Sequence, residues 1–170
     1  MPPPESAQEY YPLHAGWRWA YEVEKGGERI LAIYAVKQIA GDTVILETGE
    51  ERLLYAILPE GIARKEGLTI GDYILKTPIR AGAEWPIANG KARVTAVGQT
   101  VTVPAGTFTN CAVVEEVRTN PDRVVRTMYA AGVGPVTVDY QVHDPIAGRI
   151  ETALRASLRG LTRPGEDPLR

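Results

Sequence analysis

The sequence is poor in the residues that do chemistry. Its 170 residues include one cysteine, two histidines and one phenylalanine, and its only serines are Ser6 and Ser157. A lone cysteine excludes an intrachain disulfide, a paired-cysteine metal site and a dithiol redox couple. Cys111 lies in "NCAVVEEV" with no basic or histidine neighbour, so it reads as a small buried hydrophobe rather than a reactive thiolate. Neither serine sits in a nucleophile elbow. His14 and His143 are far apart in the chain, and His143-Asp144-Pro145 also reads as an ordinary turn opener. A set of His14, His143 and Asp144 lacks the spacing of a zinc site. Glu115 and Glu116 point to opposite faces of a strand and Glu50–Glu51 sits in a turn, so neither pair can flank one glycosidic bond. "GVGP" at 132–135 runs into Pro135 instead of a helix and is no dinucleotide fingerprint. The expectation is a protein that is not an enzyme and takes no metal or cofactor.

Other absences bound the setting. The formal charge is −2, and the arginines are scattered along the chain without a stripe, which argues against a nucleic-acid partner. The longest apolar runs, residues 30–36 and 53–58, fall far short of the ~18 residues of a membrane helix. Met1 is followed by "PPPESAQE", without the basic start and apolar stretch of a signal peptide. Two settings fit: the cytoplasm, or an exported domain in its mature form.

What is abundant is alternation and turn chemistry. "WRWAYEV" puts Trp17, Trp19, Tyr21 and Val23 on one face and Arg18, Ala20, Glu22 and Glu24 on the other, the period of a half-buried antiparallel strand. Further strands read at 29–39, 43–48, 52–58, 62–66, 72–77, 91–97, 111–118, 123–130 and 136–142. Residues 149–158 read as a last strand, although Ile150, Ala153, Leu154 and Leu158 also suit a helix. The 17 glycines and 13 prolines punctuate the series, and Asn89-Gly90 is a strong hairpin signal. About ten strands on short turns predict an all-β fold: a single antiparallel meander sheet strongly curved into a half-barrel or barrel, with little or no helix. The expected organisation is a flexible tail at 1–9, one domain at 10–161 and a flexible tail at 162–170.

One phrase occurs twice: "PLHAGWRW" at 12–19 and "PIRAGAEW" at 78–85. Proline suits the edge just before a strand, glycine allows a sharp bend, and Trp19 and Trp85 then place a large ring at the same distance beyond it. "AVKQ" at 35–38 and "AVGQ" at 96–99 hint at a second match, though the offset differs. Both tryptophans are expected as structural plugs at the start of two strands.

"YYPLHAGWRWAYEV", "VTVPAGTFTNCAVVEEV" and "MYAAGVGPVTVDY", in this order over residues 10–140, resemble the TapB-like family. These are uncharacterised bacterial envelope proteins, many of them predicted lipoproteins. The matching positions are Tyr10 or Tyr11, Pro12, Leu13, Gly16, Trp19 and Tyr21, then Val103 through Phe108 with Cys111, then Tyr129, Gly132, Val133 and Gly134. Pro135 departs from the family, which often continues with leucine or isoleucine there. The resemblance implies a curved antiparallel sheet like the lipoprotein-carrier half-barrels, in the cell envelope and periplasmic or lipid-anchored. It implies no activity, and the cysteine of a lipobox is absent. Three readings follow. The first is an envelope module holding a hydrophobic small molecule, lipid or lipoprotein acyl chain against Trp17, Trp19, Tyr21, Trp85, Phe108 and Tyr129. The second is a structural domain with a filled core that binds another envelope protein through its surface. The third, a lipocalin-like closed barrel, is weaker because the Gly-x-Trp signature is unmatched.

Overall fold

The computed structural model describes residues 2–120, 122–144, 146 and 148–165. Residues 166–170 of the expected C-terminal tail lie outside the described residues. The chain forms a short helix, α1 (Ala7–Tyr10), and then β1 (Arg18–Lys25), β2 (Glu28–Ala40), β3 (Thr43–Thr48), β4 (Glu51–Leu58), β5 (Gly61–Glu66) and β6 (Thr69–Lys76). β7 (Glu84–Ile87), β8 (Gly90–Val103), β9 (Gly106–Arg118), β10 (Arg123–Ala130), β11 (Gly134–Asp144) and β12 (Arg149–Thr162) follow. All twelve strands belong to one antiparallel sheet, ordered β6-β5-β4-β3-β2-β1-β12-β11-β10-β9-β8-β7 and nearly closed into a barrel. The alternation in the sequence does not reveal β7, because Pro86 interrupts it; proline is tolerated there because β7 is an edge. Residues 149–158 form strand, paired on both sides with β1 and β11.

Register sorts the side chains. In β1, Trp19, Tyr21 and Val23 are buried while Arg18 and Glu24 are exposed. Across β9, Ala112, Val114 and Glu116 are buried, while Glu115 between them is more open. Cys111 is buried as well: Asn110 has φ 51° and the register against β8 shifts between Ala96 and Gln99, so the simple alternation fails at that bend.

The two copies of the repeated phrase make the same local structure. Gly16 donates to the Val36 carbonyl, which belongs to the residue whose own N–H donates to Trp17 O. Gly82 donates to Val94 O, and Val94 N–H donates to Ala83 O. The same bend is closed by Trp17 N–H to His14 O and by Ala83 N–H to Arg80 O. Both glycines have positive φ, 82° and 91°, a region that favours glycine. The partner of the bend is thus Val36 in one copy and Val94 in the other, so "AVKQ" and "AVGQ" are not the equivalent pair.

On the outer face, strand register gathers charges that are scattered along the sequence into a rung of both signs. Strand pairing lines up Glu84, Arg93, Glu115, Arg126, Asp139, Arg155, Glu24 and Arg29 in one rung across β7, β8, β9, β10, β11, β12, β1 and β2. The charges alternate along it. Arg126 Nε reaches Glu115 at 2.9 Å, Arg155 reaches Asp139 at 2.7 Å and Arg29 reaches Glu24 at 3.2 Å. No helix among the described residues is long and apolar enough to cross a membrane.

Candidate functional site

The barrel interior is the one place where the aromatic residues converge, and the N-terminal segment reaches into it. Ile79 N–H donates to Glu5 O, Ala7 N–H to Thr77 Oγ1, the Gln8 amide to Leu58 O and Gly132 N–H to Glu9 O. These bonds pin α1 to the β4–β5, β6–β7 and β10–β11 connections at one end, with an Arg80–Glu5 ion pair beside them. Ala7 and Tyr10 are fully buried, so the domain boundary drawn at residue 10 falls inside a packed segment. Beyond α1 the chain inserts Tyr11, whose ring lies 5.6 Å from Trp19 edge to face, 6.0 Å from Tyr129 and 6.3 Å from Tyr55.

Of the residues singled out in the sequence, Trp17, Trp19, Tyr21 and Tyr129 gather at this cluster. Trp19 is fully buried, and its indole N–H donates to Val133 O at 2.8 Å. Tyr21 donates to Pro135 O at 2.7 Å and stacks edge to face on Tyr34. Trp17 is half-buried, 6.0 Å from Trp19, with His14 against one side and the Arg163 guanidinium over its ring. Trp85 lies elsewhere, 3% exposed under the gap between β6 and β7, with its indole N–H donating to Tyr73 O at 2.8 Å. Phe108 is half-buried near the start of β9, where its carbonyl faces the Cys111 thiol. Sequence reasoning missed Tyr11 as the hub, together with Tyr34 and Tyr55. The signal was present in "EYYPL", but a polar, proline-rich start disguised it.

The interior also holds charge. Glu116 is 7% exposed and takes a bond from Arg118 at 3.3 Å, while Arg118 also reaches Asp72 on β6 at 3.4 Å. Asp72 accepts a further bond from Ala88 N–H. Burial pushes the Tyr11 and Tyr21 phenols well above their ordinary range, and the neighbouring phenols add to it. Tyr55 and Tyr129 are raised by burial and by Glu116, with the Arg64 guanidinium pulling the other way. Burial likewise raises the Cys111 thiol. These phenols are held neutral and serve as packing surface, and Tyr21 is also a hydrogen-bond donor.

At the opposite end the interior wall is less covered. Val125, Tyr140 and Leu154 stand side by side on the Glu116 rung, and each is half-buried, as are Tyr34 and Leu53. Two open depressions lie on the outside instead. One of about 410 Å³ is lined by Arg18, Ala20, Leu31, Ile33 and Arg159 among others, and one of about 440 Å³ by Glu24, Gly26, Gly27, Arg29 and Arg155 among others. Among the described residues no three histidine, cysteine, aspartate or glutamate side chains gather as a metal site. The Asp144 carboxylate and Pro145 lie outside what is described.

Two solved structures share this architecture. A presumed exported protein with a YmcC-like fold from Bacteroides fragilis superposes with a TM-score of 0.57 at 12% identity, covering 88% of this chain and 97% of that one. A presumed lipoprotein from Parabacteroides distasonis gives 0.53 at 13% identity, covering 90% and 98%. The likeness is one of fold. No family model matches the chain, so the TapB-like name gains no support beyond the motifs themselves, and no curated protein matches it either.

Proposed function

We propose that this chain is a non-enzymatic envelope protein that works through its surface, its barrel interior being filled by its own N-terminal segment. The observation that carries the reading is Tyr11, seated inside the sheet against Trp19, Tyr55 and Tyr129, in space that an acyl chain would otherwise need. The description of one structural neighbour as a presumed exported protein and of the other as a presumed lipoprotein supports an envelope location. The partner on this reading is another envelope protein. A fluorescent fatty acid titrated into the protein is expected to show no saturable binding, and binding lost on Tyr11→Trp would overturn the filled interior.

A second reading rests on the half-buried wall of Val125, Tyr140 and Leu154 at the less covered end. A hydrophobic small molecule held there would be lost on Leu154→Glu while Tyr11→Trp left it intact.

A further inference from the structure

The outer face of β1 carries a groove with a bare floor. Strand pairing sets Ile33, Ala20 and Gly160 side by side in one rung across β2, β1 and β12. Trp19 and Tyr21, the neighbours of Ala20 in β1, are buried in the interior, so this rung faces out. It descends from a large side chain to a methyl group to none. Leu31, 55% exposed, and Ile33, 42% exposed, form the β2 wall. Arg159 stands on the far side, the one extra residue of β12 between the pairs Tyr21↔Leu158 and Ala20↔Gly160. With Arg18 and Thr162 at one end, these residues bound the depression of about 410 Å³.

Neither backbone nor packing calls for the glycine. The φ of Gly160 lies outside the left-handed region, and a Cβ built there would meet no atom within 4 Å. The bulge beside it does not need a glycine either, because only a left-handed bulge position does. A β-branched residue would suit the strand better. A glycine inside a strand without such a need marks a place where another group comes close. The charge at the end of the groove is also unanswered. Among the described residues the Arg18 guanidinium has no hydrogen-bond or ion-pair partner, whereas Arg159 has Glu22 at 3.8 Å. Arg18 and Glu22 flank Ala20 along β1, two residues to either side and roughly 7 Å away.

We propose that this groove seats an extended segment of another envelope protein, with a large apolar side chain on Ala20 and Gly160 and a carboxylate two residues away against Arg18. Two residues is the spacing at which an extended segment presents side chains on one face, and it matches the step from Ala20 to Arg18. Glu22 sets the direction, since an acid placed at its end of the groove would meet a like charge. One unanswered arginine suits one carboxylate rather than a membrane surface, which is held by clusters of roughly four to eight basic residues. The proposal rests on the reading that the protein works through its surface, and it names the surface and the chemistry of the partner.

The probe is a capped hexapeptide of glycine and serine that carries a phenylalanine and, two residues later, an aspartate. Titrated into the isotope-labelled whole chain, it is expected to move the amide resonances of Ala20, Ile33 and Gly160 saturably, with a Kd at or below about 1 mM. Gly160→Val fills the floor and should weaken binding at least ~10-fold while the melting temperature holds or rises. If that variant fails to fold, Ala20→Val makes the same test from β1. The asparagine form of the peptide should bind ~2–5-fold more weakly, the step of a solvent-exposed ion pair, and Arg18→Gln should erase that preference. Groove amides that stay still to about 10 mM peptide overturn the proposal, as does binding that survives both floor variants. If the interior still takes up no fatty acid, such a result removes this groove and leaves the surface reading standing. A peptide that moves the amides of Tyr11 and Tyr129 instead overturns both. Anionic vesicles that bind the parent but not Gly160→Val would give the groove to a lipid, and groove amides that shift with the concentration of the parent alone would give it to a second copy. Either result overturns the proposal.

Discussion

Two six-stranded halves, β1–β6 and β7–β12, each begin with the same phrase and meet each other twice. At one junction β1 and β12 share a backbone ladder from Arg18↔Thr162 to Glu24↔Arg155 with a single register shift. At the other, β6 and β7 share no ladder. Side chains hold it instead: the Trp85 indole on Tyr73 O, and the Asp72 carboxylate taking both Ala88 N–H and Arg118. The phrase builds an equivalent bend and an equivalent buried tryptophan in both places, so it does not explain the difference. Strand length does. β1 has eight residues to offer a neighbour, while β7 has four, one of them Pro86, which has no N–H to give.

The largest effects should come from the two tryptophans. Trp19→Ala and Trp85→Ala should each cost about 3–5 kcal/mol in denaturant unfolding, as for other buried large aromatics. Trp19 should sit at the upper end, since it also loses the edge-to-face contact with Tyr11. Arg18→Ala and Glu84→Ala, their exposed neighbours, should change little. Equal losses at a tryptophan and at its exposed neighbour would sink the equivalence: a melt in which Glu84→Ala matches Trp85→Ala means that the ring is not what closes the bend.

Next in size is the side-chain junction itself. Arg118→Ala leaves Glu116 inside the barrel without its cation and should cost about 2 kcal/mol, less than the ~3–5 kcal/mol of a fully buried pair because Asp72 remains partly exposed. Amides of β6 should then exchange faster with deuterium while those of β12 keep their protection. Uniform acceleration in both would mean that the two junctions open together.

Much of this was legible in the chain, and the reasons for the rest are physical. Alternation in "WRWAYEV" assigned the correct face because one side of β1 meets the core and the other meets water. The repeated phrase pointed to two equivalent strand starts because proline, glycine and tryptophan each impose a local constraint. The charge belt was hidden because its members come from all along the chain. Glu24 and Arg155, neighbours in the rung, belong to the first strand and the last, and only the register brings them together. Tyr11 was hidden for the opposite reason. Its neighbours look like a tail, and nothing local says that the barrel leaves room for them. Of the candidate site, Trp17, Trp19, Tyr21 and Tyr129 converge, while Trp85 and Phe108 serve other parts of the wall.

Alkaline titration separates the interior from the seam on a smaller scale. Burial raises the phenol of Tyr129 above its unfolded value near 10, so above that pH the unfolded chain loses a proton that the native one keeps. Its stabilising contribution is complete below about pH 10 and is lost as pH rises. Tyr129→Phe should therefore flatten the alkaline slope by about 1.4 kcal/mol per pH unit. Tyr73, half-buried at the seam, is pushed up to about 12 by a bond to Glu60 that is open to solvent, so screening by water and salt should leave a weaker change on Tyr73→Phe. Equal slopes in the two variants would contradict the burial of Tyr129.

The smallest effect should come from the belt, which crosses the β1–β12 junction and stops short of the other. Arg155 stands between Asp139 and Glu24, one partner on each side of it in the rung. It is half exposed, so water and salt screen both attractions. Arg155→Ala should cost about 0.2–1 kcal/mol, and the loss should fade as salt is raised. Arg155→Glu should cost more than the alanine change, because it sets three acidic groups side by side across β11, β12 and β1. That excess is the informative quantity. It measures how firmly the ladder fixes register at this junction: a rigid ladder holds the three carboxylates together, and a slipping one lets them part. If Arg155→Glu is no worse than Arg155→Ala at low salt, the belt lies on the surface without helping to choose the pairing.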